Sequence, residues 1–186
     1  MAKQFDALNA SHRDFINSQQ VFFTASATHD SRVNVSPREI GALRIVDDNT
    51  VIYLDRTGSG NETAAHMLVD GRMTIMFCAF AGPPKIMRLY GTGSSLGWET
   101  TEFSALIAEH YCGVIPLGTR QIMKLSFEVV QTSCGNGVPL FGYQGERAAI
   151  ENWHNHKGPE GIRVYWKEKN LKSIDGLPTG LKVPES

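Results

Sequence analysis

The residues best suited to chemistry in this chain lie in one short stretch, Leu54-Asp55-Arg56-Thr57-Gly58-Ser59-Gly60-Asn61-Glu62-Thr63. An apolar run from Thr50 to Leu54 reads as a strand. Two glycines then break it, and an apolar pattern with helical spacing follows over residues 61–69. Ser59 and Glu62 stand three apart, the spacing of a capping box at a helix start. A strand, a Gly/Ser/Thr turn and a helix N-terminus leave unpaired backbone N–H groups beside the positive end of a helix dipole, a setting that suits a phosphate. The alternative is an ordinary strand-to-helix connection whose small residues only shape the turn. Two familiar phosphate motifs are excluded. No Gly-Lys pair supplies a Walker loop, and Gly58-x-Gly60-x-x-Thr63 lacks the third small residue of a dinucleotide fingerprint.

Other polar groups are less directive. Arg32, Asn34 and Ser36 share one face of a strand in period two, pointing either to solvent or to a polar ligand. Gln131-Thr132-Ser133-Cys134-Gly135-Asn136-Gly137-Val138-Pro139 is a Gly-rich loop whose donors could line a pocket or simply turn the chain. Cys134 would need an electropositive setting to become reactive. His154 and His156, two apart in a helix, do not share a face for metal binding. His66 reads as a packing or surface residue, and no Ser-His-Asp or Cys-His spacing stands out.

The elements that must position these groups are mostly strands. Residues 6–20 form a short helix capped by Asn9 or Ser11. Val21–Ala27 and Arg32–Ser36 form a hairpin stopped by Pro37, and Leu43–Val46 and Val51–Leu54 form a second. Arg72–Phe80 is apolar on both faces, as in a strand covered on two sides. Lys85–Leu96 carries Gly91 and Gly93, which mark a bulge or a close approach. Phe103, Leu106, Ile107, His110 and Tyr111 line one helical face. Met123 to Val129 alternates as a strand with one wet face. Glu146–His156 and Pro159–Asn170 read as helices, and Ser173–Ser186 as an extended tail. Hairpins with few helices favour an antiparallel barrel or sandwich.

With 186 residues, 41% hydrophobic and 20% charged, the chain is long enough for one substantial core. A formal net charge of −1 without a basic run argues against nucleic acid as partner. No window approaches eighteen uninterrupted apolar residues, and Met1-Ala2-Lys3-Gln4-Phe5-Asp6 lacks a signal-peptide core, so the expectation is a cytoplasmic protein without a membrane partner. Three cysteines, odd in number and widely spaced, read as reduced thiols.

Together, Arg32-Val33-Asn34-Val35-Ser36-Pro37, the second hairpin, Gly58-Ser59-Gly60-Asn61-Glu62-Thr63-Ala64-Ala65-His66, Arg72 to Phe80, Arg88-Leu89-Tyr90-Gly91 and Thr132–Pro139 resemble the pyridoxamine 5′-phosphate oxidase-like family of FMN-binding split β-barrels. The match covers about residues 15–131, and two of these phrases, Gly58–His66 and Thr132–Pro139, resemble an uncharacterised branch. The resemblance implies a mainly β fold with a few helices, a six-stranded antiparallel Greek-key split barrel over residues 1–131, with residues 132–186 forming a C-terminal loop, helices and tail packed on it. It also implies a homodimer holding FMN at its interface. On that basis Arg32, Asn34, Val35 and Ser36 run along the flavin ring. Leu54, Asp55, Ser59, Gly60, Asn61, Glu62 and Thr63 grip ribityl and phosphate, and Arg88 and Tyr90 approach the same cleft, from their own subunit or from its partner. Better-known members place Ser-Arg-Lys at the phosphate, where this chain has Glu62-Thr63-Ala64. Backbone amides and hydroxyls, or Arg56 or Arg88, must then carry the anion. The terminal segment of true pyridoxamine phosphate oxidases is not matched by Ile162-Arg163-Val164-Tyr165-Trp166. The expectation is an FMN-dependent oxidoreductase with an unassigned small-molecule substrate or electron donor. The alternatives are a non-catalytic flavin-binding module, or a split barrel holding F420 or haem.

Overall fold

The computed structural model describes residues 2–184. Met1 and the last two positions of the expected tail lie outside them. Among the described residues eight strands form one antiparallel sheet, in the order β3 (Asn34–Glu39), β2 (Val21–Ser26), β6 (Arg72–Cys78), β7 (Ile86–Gly97), β8 (Thr119–Ser133), β5 (Thr50–Arg56) and β4 (Leu43–Ile45), with β1 (Lys3–Phe5) paired to β8 off that path. The split-barrel fold is as expected, with eight strands where the resemblance implied six. One addition is β1 (Lys3–Phe5), too short to show a period in sequence.

The chain enters through α1 (Ala10–Asn17), capped by Asn9, whose carboxamide oxygen accepts from His12 N at 3.0 Å. β2 (Val21–Ser26) turns Phe22, Thr24 and Ser26 inward. It pairs with β3 (Asn34–Glu39), where Phe23 faces Pro37. Pro37 therefore sits inside the strand instead of ending it. β3 is an edge strand, where a missing N–H costs no ladder bond. A 3-10 turn at Ile40–Ala42 leads to β4 (Leu43–Ile45), and the tight turn Asp47–Asn49 to β5 (Thr50–Arg56).

α2 (Glu62–Met67) delivers the chain to β6 (Arg72–Cys78), and β7 (Ile86–Gly97) and β8 (Thr119–Ser133) make a long pair bridged by α3 (Thr101–His110). The register shifts between Tyr90 and Gly91. There a Cβ on Gly91 would lie 2.1 Å from Ser126 O, so backbone approach dictates glycine. Phe22, Tyr53 and Phe77 lie at the centre of the core in tilted and edge contacts, each almost fully buried.

α4 (Ala149–Tyr165) breaks at Gly158, φ 64° and ψ 174°, ahead of Pro159, giving two helical arms as the sequence indicated. A π-turn, Trp166–Asn170, follows. Ile162, Trp166 and Leu181 form a second small apolar cluster with Leu117 and Val183. No helix of the described residues is long and apolar enough to cross a membrane. All three cysteines are free, Cys78 buried and Cys112 and Cys134 exposed.

Candidate functional site

β5 ends because Thr57 leaves the ladder: its N–H and its hydroxyl both donate to Gly118 O at 2.7 Å. The turn Gly58–Asn61 then feeds α2. The expected Ser59–Glu62 capping box does not form. Asn61 is the N-cap, without a side-chain cap bond, and the Glu62 carboxylate accepts from Ile174 N at 2.9 Å. α2 has six residues, too few for a strong dipole. Nor does either glycine adopt a positive φ. Gly58 has open space where a Cβ would stand, and Gly60 has only the Glu62 side chain close by. The turn alone is therefore a weak anion trap.

Two arginines change that. A cavity of about 370 Å³ is lined by Asn34, Ser36, Pro37, Arg38, Asp55, Gly58, Ser59, Gly60, Asn61, Glu62, Thr63 and Arg120. On its floor the Asp55 carboxylate lies between Arg38 Nη1 at 3.1 Å and Arg120 Nη2 at 2.9 Å. Arg120 also donates through Nε to Asp55 Oδ2 at 3.1 Å and through Nη1 to Gly60 O at 2.8 Å. Gln121 donates to both Asp55 Oδ2 and Asn61 Oδ1 at 2.8 Å, joining floor and turn. The Asp55 and Arg120 side chains are 1% exposed and Arg38 is 21% exposed, so Arg38 is the more reachable cation.

Burial pushes the Arg120 guanidinium below its usual range, with Asp55 opposing. Burial also works against Arg38, but Tyr53 and Asp55 more than offset it and its pKa rises. Tyr53, fully buried beneath the Arg38 guanidinium (5.4 Å to the ring centroid), is pushed up to about 12, chiefly by desolvation. Both arginines stay charged at neutral pH and Tyr53 stays neutral. With Asp55 and the rim carboxylate Glu62, the formal charges cancel. Attraction of an anion therefore rests on directed guanidinium donors, not on net charge. Arg38 Nε, Asp55 Oδ1 and the Tyr53 hydroxyl are buried without a hydrogen-bond partner among the described residues. The Arg38–Asp55 contact is an ion pair at 3.1 Å. Two donors and one acceptor are thus unmatched beneath the cavity, and the part-exposed Arg38 guanidinium is the group that a ligand there can meet.

The predicted residues separate into two groups. Asn34, Ser36, Asp55, Ser59, Gly60, Asn61, Glu62 and Thr63 converge on the cavity, with Asn34 Nδ2 donating to Thr63 Oγ1 at 3.1 Å. The other five do not line it. Arg32 turns away to Asp175, whose carboxylate accepts from both its backbone and its guanidinium. Val35 projects on the opposite face of β3 and is exposed, while Leu54 is buried in the core. Arg88 and Tyr90 alternate with the buried Met87 and Leu89 and so lie on the outer sheet face. Of the two cations the sequence offered in compensation, Arg56 is bound to Glu151, Leu117 O and His154, and neither it nor Arg88 lines the cavity.

Arg38 and Arg120 were not anticipated. Arg38 had a signal: the polar period of Asn34 and Ser36 continues to position 38 once Pro37 is allowed in an edge strand. Arg120 had none, since its partner Asp55 is 65 residues away.

The Pyridoxamine 5′-phosphate oxidase family model matches residues 8–134. An Aspergillus flavus protein described as pyridoxamine 5′-phosphate oxidase family protein ustO is 39% identical over 191 residues, spanning 94% of this chain and 76% of its own length. The chain belongs to the pyridoxamine 5′-phosphate oxidase family. Solved structures agree at the level of fold. HupZ of Group A Streptococcus aligns at a TM-score of 0.53 with 20% identity, over 66% of this chain and 91% of its own. A putative pyridoxamine 5′-phosphate oxidase of Lactobacillus delbrueckii aligns at 0.52 with 14% identity, over 68% and 94%.

Proposed function

We propose that this protein is an FMN-binding flavoprotein, an oxidoreductase acting as a homodimer on a small-molecule substrate or electron donor. The observation that carries the reading is the pair Arg38 and Arg120 lining one cavity with the Gly58–Thr63 turn. They answer the absence of basic residues in the turn itself. Arg38, through its part-exposed guanidinium, and the Ser59–Thr63 segment would hold the phosphate. Asn34 and Ser36, higher on β3, would meet the ribityl chain and ring. When bound, FMN supplies two-electron acceptor and donor chemistry. The residues of this chain bind, orient and exclude water: Asp55 fixes both guanidinia, and Gln121 fixes Asn61 against Asp55.

The homodimer is supported by the outer sheet face. Pro37, Phe23, Met76, Arg88 and Gln131 stand in register across β3, β2, β6, β7 and β8, as do Val35, Ala25, Thr74, Tyr90 and Val129. Apolar side chains dominate both rows. Arg88 and Tyr90 would reach a cleft only from a partner copy, and Arg32, Val35 and Leu54 are proposed only as a frame around it. Pyridoxamine phosphate is not proposed as substrate. The segment Ile162–Trp166 packs on the barrel, with Trp166 Nε1 donating to Thr57 Oγ1 at 2.7 Å.

The test is titration of the apoprotein with FMN, followed by flavin fluorescence, then anaerobic addition of NADH or NADPH. Saturable micromolar binding and bleaching with a donor are expected. No saturable binding would overturn the reading, and binding without bleaching by either donor would leave a binding module in place of an enzyme.

A further inference from the structure

The turn Thr57–Glu62 is held from outside the barrel at four of its six residues. Trp166 Nε1 donates to Thr57 Oγ1 at 2.7 Å. Asn170 Nδ2 donates to Gly58 O at 3.2 Å, and Asn170 O accepts from Asn61 Nδ2 at 3.3 Å. Ile174 N donates to Glu62 Oε2 at 2.9 Å. Asn170 is fully buried at the end of the π-turn, and its carbonyl also takes the Thr179 hydroxyl at 2.7 Å. All of these holding residues lie beyond residue 134, where the family match ends.

From this arrangement we infer that the C-terminal segment Trp166–Thr179 belongs to the phosphate site, with Asn170 as the residue that positions the turn. The inference rests on the proposed FMN reading and goes beyond it. A turn with neither positive-φ glycines nor basic side chains has no internal means of fixing its donors in the cavity that Arg38 and Arg120 line, and Arg120 itself holds only Gly60 O. Asn170 supplies that means. It ties Gly58 at the start of the turn to Asn61 at its end, while Gln121 ties the same Asn61 to Asp55 on the floor. π-turns are frequent at functional sites, and Asn170 is the last residue of this one. Glu62 is drawn to Ile174, which engages a carboxylate that would otherwise be free to repel a phosphate.

Asn170 acts on the phosphate end of the ligand alone, so the experiment compares FMN with riboflavin, which lacks the phosphate. Apoprotein of the wild type, Asn170→Ala and Asn170→Asp is titrated with each flavin. Asn170→Asp is nearly isosteric but removes the donor to Gly58. Both variants should weaken FMN by about tenfold, the value of one to two hydrogen bonds, and leave riboflavin unchanged. Should either variant fail to fold, Trp166→Phe removes one donor to the turn with its packing largely kept, and is expected to shift the same ratio. Equal weakening of both flavins, or FMN affinity as in wild type, would overturn the inference while leaving the FMN reading intact. Wild-type protein that binds neither flavin, or binds both equally, would overturn the reading and the inference with it.

Discussion

Replacing Arg38 by methionine separates the roles of the two cations in the cavity. Methionine keeps much of the unbranched stem and loses the guanidinium. Asp55 would retain Arg120 at 2.9 and 3.1 Å and Gln121 at 2.8 Å, so its buried charge stays compensated. The stability cost is therefore about 1 kcal/mol, a Tm drop of about 2–4 °C for a chain of this size. Loss of a hydrogen bond to a charged ligand group costs more, about 1.5–3 kcal/mol, or about 10–150-fold in Kd for FMN. Riboflavin, without the phosphate, should bind as to wild type. Arg56→Met is the control: its guanidinium is committed to Glu151 and His154, so FMN affinity should hold. Fluorescence titration of both flavins, with thermal melts of each apoprotein, reads all of this. If Arg38→Met bound FMN like wild type, or weakened both flavins equally, Arg38 would not be the phosphate's cation and the cavity assignment would fail.

Three further outcomes follow from the packing. Gly91→Ala places a Cβ 2.1 Å from Ser126 O and 2.5 Å from Phe127 Cα, both backbone, so it should lose about 3 kcal/mol in urea titration, and an unchanged midpoint would refute the close approach. Burial, with Arg56 beside it, lowers the His154 pKa, and burial with Lys85 lowers that of His12. Both are favoured neutral in the fold, so their contribution is full above the ordinary histidine value of about 6.5 and is lost as pH falls through and below it. Tm should drop on acidification. The drop should be shallower in His154→Gln, which can still accept from Arg56 and donate to Thr57 O, and an identical slope would remove His154 as a cause. Met76→Asp puts a charge in the middle of the outer sheet face and should give a monomer by light scattering, whereas a persistent dimer would place the interface elsewhere.

Periodicity made much of the fold legible. The β-forming run Val21–Ala27, the two-sided apolar run Arg72–Phe80 and the helical face from Phe103 to Tyr111 depend on neighbours a few residues away, and each formed its element, the strands ending at Ser26 and Cys78 and the helix at His110. Gly91 announced a close approach because only backbone contact excludes a Cβ so strictly. Pro37 misled, since its penalty depends on whether a strand is central or at an edge, and that is a fact of topology. Reading the strand to stop there hid Arg38, one step further along the same polar face.

The sequence by itself therefore determined a β-rich antiparallel domain, its hairpins and the turn that edges the cavity, because local pattern and turn chemistry act over a few residues; the barrel came from the family resemblance. Tertiary structure alone decided what makes that turn a site. Arg120 meets Asp55 across 65 residues, and Asn170 reaches Gly58 across 112. A buried charge or carboxamide takes its meaning from the partner that meets it, and pairings over such separations leave no periodic trace in the chain.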